Sequence, residues 1–194
     1  MPKLNTANPE VQAYIYNVMV FWLNEYHIDG WRLDVADEID PSLWTRIRYR
    51  IKSAYPDCLL LGETWGDGFS LLDEKSVDSI MNYVFRDSVR DFLARGSIDA
   101  KMFNHRICQM RSHYPEEIRQ ALFQPLDSHD TERFLWNCSG DIRRLKLAAL
   151  FQMCFPGAPS IYYGDEIGLN GDNDPDCRRC MEWNPAKQNA DVLS

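Results

Sequence analysis

The sequence predicts an α/β fold, part of a (β/α)8 barrel, and three observations carry that reading. Short β-prone runs alternate along the chain with stretches of helical periodicity, the pattern of a parallel sheet whose strands are joined by helices. The run at residues 58–61 is continuously apolar, as suits a strand covered on both faces. Acidic residues fall where strands end: Asp34 and Glu63 are 29 residues apart, and Glu63 and Asp130 are 67 apart. Those intervals approximate one and two strand–helix units. In barrels of this kind the catalytic groups come from the C-terminal ends of several strands. An ordinary doubly wound fold shares the alternation, but no GxGxxG follows any strand.

The elements are expected in the following order. Asn8-Pro9 is an N-cap with proline at the first helical position, and Val11, Tyr14, Ile15, Val18, Phe21 and Trp22 follow at helical spacing. A strand is expected at residues 31–36. A helix from Asp40-Pro41 carries Leu43, Trp44, Ile47 and Ile51 on one face, and Pro56 ends it. Strands are then expected at 58–61 and 79–83, and helices at 85–94 and 99–113. The run at 121–126 reads as a strand shortened by Pro125. A helix over 141–155 is stopped by Pro156-Gly157, and the last strand lies at 160–163. Tyr83, Phe85, Tyr162 and Tyr163 are read as core or barrel-lining residues, and Met102, Met110 and Met153 as packing. From about residue 164 the chain is loop-rich.

The 194 residues with 45% apolar content suit one domain, residues 1–194, yet fall short of the ~250 that a whole barrel takes. The formal net charge of −8 repels nucleic acid and anionic membrane. No apolar run is long enough to span a bilayer, and the first residues lack the features of a signal peptide. Six scattered cysteines read as free thiols of a reducing compartment, so a cytoplasmic location is expected. Cys177 and Cys180 lack the further pair that zinc would need. The acidic run Asp172 to Asp176 has the oxygen ligands that suit calcium, although a solvated loop is the plainer reading, and no cofactor is expected to be required.

Three expected strand ends carry chemistry: WRLDVADE with Arg32 and Asp34, LLLGETW with Glu63, and LDSHD with His129 and Asp130. A single aspartate in a strand is usually a turn or salt-bridge residue. Three acids at such ends would instead converge on one cleft. Convergent carboxylates suit retaining cleavage of a glycosidic bond, which needs an ionised nucleophile and a protonated acid ~5–5.5 Å apart. A third carboxylate can stabilise the positive transition state. Arg32, two residues before Asp34, points the same way on a strand and would keep that carboxylate oriented. His129 can donate to a sugar hydroxyl, and Trp65 offers an apolar face on which a sugar ring can stack. A metal-dependent hydrolase would need several histidines near the site, and only His129 lies at a strand end.

The segments GWRLDVADE (30–38), GETW (62–65), LDSHDTERF (126–134) and GAPSIYYGDEIG (157–168) together resemble the α-amylase family of glycoside hydrolases, in order and in spacing, over nearly the whole chain. The resemblance implies Asp34 as nucleophile, Glu63 as general acid/base and Asp130 as transition-state stabiliser. It implies Arg32, His129, Asp174 and Arg178 as contacts to the glucose at the cleavage site, the last two from NDPDCR. MPKLN and DPDCRRCMEW resemble the cyclomaltodextrinase, neopullulanase and maltogenic amylase branch. Asp37-Glu38 stand where many α-amylases have Lys-His, which argues against the usual calcium site and implies Glu38 on the acceptor side.

The expected activity is therefore retaining hydrolysis of α-1,4-glucosidic bonds in cyclodextrins, maltooligosaccharides or pullulan. A transglycosylase of the same family is the alternative among enzymes. A non-catalytic binding or assembly relative would be expected to have lost an acid. The family's motifs for the first three barrel strands are not found, so the chain is expected to supply about strands four to eight. Alone it is expected to be inactive, and to pair with a missing N-terminal half of the barrel or with a second copy of itself.

Overall fold

The computed structural model describes residues 3–73 and 76–193. The chain forms two compact units, Met1–Met81 and Asn82–Ser194.

The first unit is a three-stranded parallel sheet carrying helices. Helix α1 (Pro9–Tyr26) starts where the side chain of Asn8 accepts from Glu10 N, and ends at His27 in the left-handed region. Strand β1 (Gly30–Leu33) follows, then a 3-10 turn at Ala36–Glu38. Helix α2 (Pro41–Ala54) is capped by Asp40 and buries Leu43, Trp44, Ile47 and Ile51, the expected face. Strand β2 (Leu59–Gly62), helix α3 (Phe69–Asp73) and strand β3 (Ser79–Ile80) complete the unit. The strands lie in the order β1-β2-β3, with Gly30 opposite Leu59 and Leu33 opposite Gly62. A Cβ at Gly30 would stand 2.3 Å from the Leu59 carbonyl oxygen, so only glycine permits this approach. Asp78 accepts from Leu60 N at 2.8 Å and pairs with Lys52 at 2.8 Å, tying β2 to α2.

The second unit opens with helix α4 (Tyr83–Val89), which runs on into a π-helical turn at Arg90–Ala94. Helices α5 (Ala100–His113) and α6 (Glu116–Ala121) lead to strand β4 (Phe123–Pro125). Helices α7 (Phe134–Asn137) and α8 (Ile142–Cys154), strand β5 (Ala158–Ser160) and short helix α9 (Ala190–Leu193) follow. Strands β4 and β5 pair in parallel, Phe123 opposite Ala158. Buried Gln152 on α8 donates to Gln124 O at 2.6 Å and to Ser160 O at 3.0 Å, bridging both strands with one amide. Tyr83 and Phe85 are fully buried.

Several expectations need correction. The last strand lies at Ala158–Ser160 rather than 160–163, because Gly157 already turns the chain onto the sheet. The segment 79–83 is strand only at Ser79–Ile80: Asn82 caps a helix that begins at Tyr83. Helix α1 buries Met19 and Leu23, whereas Tyr14, Phe21 and Trp22 are exposed. Its apolar positions cover more of the helix than one neighbour can bury, and Trp22 meets Tyr26 in a tilted ring contact, centroids 4.7 Å apart, outside. Met110 is buried, but Met102 and Met153 are exposed. No helix among the described residues is long and apolar enough to cross a membrane.

Gly157 has φ +119, and a Cβ there would meet the Leu122 carbonyl oxygen at 2.5 Å. Gly157→Ala is expected to destabilise the full-length protein by about 1–3 kcal/mol, read as a lower urea midpoint with an unchanged slope.

Candidate active site

In the first unit the strand ends of β1 and β2 carry Arg32, Asp34 and Glu63. Parallel pairing through Leu33 and Gly62 places the two chain exits side by side. Arg32 grips both acids: its Nη1 donates to Asp34 Oδ1, and its Nη2 forms an ion pair with Glu63 Oε1 at 2.6 Å. The two carboxylates differ sharply in surroundings. The Asp34 side chain is 74% exposed, whereas Glu63 is 2% exposed. A guanidinium between them fixes the orientation of both.

The turn after Asp34 is built on Glu63. Val35 N donates to Glu63 Oε2 at 2.8 Å. Ala36 N donates to Glu63 O, and Glu63 N to Leu33 O, each at 2.8 Å. Val35 has φ 38, a left-handed conformation that a β-branched residue adopts only under constraint. Beyond it, Thr64 Oγ1 donates to Asp37 Oδ2 at 2.7 Å. Glu38, the expected acceptor-side residue, is exposed and paired with Lys3 at 2.8 Å. Trp65 is half exposed just past β2, as a stacking platform would need to be.

In the second unit, four of the expected residues form one cluster. His129 Nε2 lies 3.0 Å from Asp130 Oδ2. Arg178 Nη2 donates to Asp130 Oδ1 at 3.2 Å and its Nε to His129 O at 3.0 Å. The same Nε lies 2.8 Å from Asp174 Oδ1. Asp130 N donates to Ser128 Oγ at 3.2 Å, and Tyr83 Oη donates to that hydroxyl at 3.0 Å.

Beneath this cluster lies a site that the sequence reading did not single out. The Arg133 side chain is completely buried. Its Nε donates to Cys177 O at 2.9 Å, and its Nη1 donates to Tyr163 O and to Asp165 Oδ1 at 3.3 Å. The guanidinium stacks over Tyr162 at 3.9 Å. Asp127 Oδ2 accepts from Phe134 N at 2.6 Å, and its carboxyl lies close enough to Asp165 to influence it electrostatically. Burial, then the charge of Asp127, pushes Asp165 well above the usual carboxylate range. Burial also raises Asp127, against the hydrogen bonds it receives. Both shifts run in the direction that favours a protonated carboxyl, next to the Arg133 cation. The available signal was Asp127 and Arg133 inside LDSHDTERF and Asp165 inside GAPSIYYGDEIG, segments otherwise read for the exposed site and for the family resemblance.

No group of three or more His, Cys, Asp and Glu side chains among the described residues is arranged to hold a metal. In the acidic loop, Asp176 accepts from Asp172 N at 2.8 Å and pairs with Arg179 at 2.6 Å, while Asp174 pairs with Arg178. Cys177 is buried and Cys180 exposed. All six cysteines are free thiols, and burial pushes Cys138 up to about 12.

The family model described as "Alpha amylase, catalytic domain" matches residues 1–192. A cyclomaltodextrinase of Geobacillus thermopakistaniensis (strain MAS1) is 47% identical over 99% of this chain and 33% of its own length. Neopullulanase 2 of Thermoactinomyces vulgaris is 51% identical over 97% of this chain and 32% of its own. A solved cyclomaltodextrinase superposes with a TM-score of 0.96 at 44% identity, covering 99% of this chain and 33% of that one. The chain thus spans about a third of the length of the curated relatives it matches.

The raised Asp165 makes a pH prediction. A carboxyl whose folded pKa is raised gives stability that is fully present below its unfolded value of about 3.9, and that is lost as pH rises toward the folded value. Asp165→Asn mimics the protonated form. It is expected to flatten the decline in Tm of the full-length protein above pH ~4, with no loss of Tm at neutral pH. Arg133→Met is expected to lower Tm at neutral pH, because it leaves buried acids without their cation.

Proposed function

The chain belongs to the α-amylase catalytic-domain family, and from that premise we propose that the protein carrying it is a retaining hydrolase of α-1,4-glucosidic bonds. Its substrates are cyclodextrins, maltooligosaccharides or pullulan, in keeping with the names of the relatives, cyclomaltodextrinase and neopullulanase. The observation that carries the reading is the single guanidinium of Arg32 on both Asp34 and Glu63. It ties an exposed carboxylate to a buried one at adjacent strand ends, the asymmetry that an ionised nucleophile and a proton donor require.

In the first step the Asp34 carboxylate attacks the anomeric carbon while Glu63 gives its proton to the departing glycosidic oxygen. In the second, Glu63 takes a proton from water, and that water displaces Asp34 from the sugar. Asp130 supplies negative charge to the oxocarbenium-like transition state. His129, Asp174 and Arg178 bind hydroxyls of the glucose at the cleavage site, Trp65 stacks on a sugar ring, and Glu38 lies toward the acceptor. No metal is needed for either step. The remainder of the barrel is the partner that this chain requires, the chain supplying about strands four to eight. A cytoplasmic location is in keeping with six free thiols.

In the full-length protein, Asp34→Asn and Glu63→Gln are each expected to abolish turnover of a maltooligosaccharide while leaving binding intact, a loss in kcat rather than KM. Near-normal turnover in either variant would remove its assignment. Residues Met1 to Ser194 alone are expected to show no turnover in the range of enzymes, ~1–1000 per second. A turnover in that range by the isolated chain would contradict the need for a partner.

A further inference from the structure

We propose that Trp44 is a positioning residue for the Asp34–Glu63 pair, acting through the carbonyl of Ala36; this rests on the hydrolase reading above. Trp44 lies on α2, not on a strand end, and is 7% exposed. Its Nε1 donates to Ala36 O at 2.9 Å. Ala36 is fully buried and is also the residue whose N donates to Glu63 O.

The geometry explains why such a tie is needed. Val35 stands between Asp34 and Ala36 with φ 38. A constrained backbone of this kind persists only when its surroundings fix it. On the strand side, the fixing contacts come from Glu63, through Val35 N and Ala36 N. On the helix side, the side-chain contact is the Trp44 indole N–H. Leu43, Ile47 and Ile51 bury α2, so the donor sits on a rigid element. Removing the N–H leaves the Ala36 carbonyl with the weaker 3.4 Å contact from Ile39 N. The turn can then relax, and both Asp34 and the Val35 N–H on Glu63 move with it. Trp44 touches no reacting atom in this account.

The rival reading is that a buried tryptophan merely satisfies its N–H. Two variants of the full-length protein separate the readings: Trp44→Phe, and replacement of Trp44 by β-(3-benzothienyl)alanine, in which sulfur replaces the indole N–H with the bicyclic shape kept. The second remains informative if the first fails to fold. Turnover of a maltooligosaccharide and of α-maltosyl fluoride is measured, the fluoride leaving without help from a proton donor. The expected result is a kcat lower by about tenfold to a hundredfold, the scale of a small misplacement of reacting groups. KM is expected within about twofold of the starting protein, and the loss is expected to persist with the fluoride because Asp34 itself moves. An unchanged kcat in the benzothienyl variant would overturn the proposal. So would a parallel rise in KM, or a loss confined to the maltooligosaccharide. Glu63→Gln runs alongside: if it retains full activity the hydrolase reading fails, whereas if it is inactive and the benzothienyl variant is normal, only the role of Trp44 fails.

Discussion

Asp34 and Glu63 stand at neighbouring strand ends, and the arrangement at β1 and β2 depends on the cation that Arg32 places between them. Arg32 and Asp34 share an orientation because they are two residues apart on an extended segment. Glu63 joins them because Leu33 pairs with Gly62, which sets the residues that follow side by side. The guanidinium reaches both acids through its two terminal nitrogens, Nη1 toward Asp34 and Nη2 toward Glu63. The backbone then continues what the side chains begin. The turn after Asp34 takes its hydrogen bonds from Glu63 itself, so the buried acid is at once a functional group and the anchor of the segment carrying the exposed one.

The second unit repeats this logic one layer deeper. Arg133 does not reach the exposed cluster, but it fixes the carbonyls of Tyr163 and Cys177 and the loop that presents Arg178. The thiol of Cys177 lies 3.3 Å from His129 O, and Arg178 donates to the same carbonyl. Charges that face outward are thus positioned by charges that do not. Two buried carboxyls depend on the buried cation beside them, so removing Arg133 costs more than the contacts it makes.

Much of this was legible in the sequence, for identifiable reasons. Caps such as Asn8-Pro9 and Asp40-Pro41 marked helix starts because a side-chain acceptor next to proline has few other uses. The acids at strand ends were legible because a polar residue closing an apolar run stands out. Strand ends were less so: Asp34 and Val35 belong to a turn, since the positive φ at Val35 follows from contacts with Glu63, 28 residues away. The face of α1 and the exposure of Met102 and Met153 were misjudged because periodicity shows which positions are apolar, not which of them find a neighbour. The Asp127–Arg133–Asp165 set was hidden because charged residues are normally expected outside, and nothing local signals that three of them bury one another.

The central claim is that Asp34, held by Arg32 opposite Glu63, forms a bond to the sugar. Incubating the full-length protein with a 5-fluoro-α-maltosyl fluoride, which slows release of a covalent intermediate, followed by proteolysis and mass spectrometry, tests it directly. A glycosyl mass added to the Asp34 carboxylate, with the product of ordinary turnover keeping its anomeric configuration, is the expected result. A label on a different carboxylate, or a product of inverted configuration, would contradict the account.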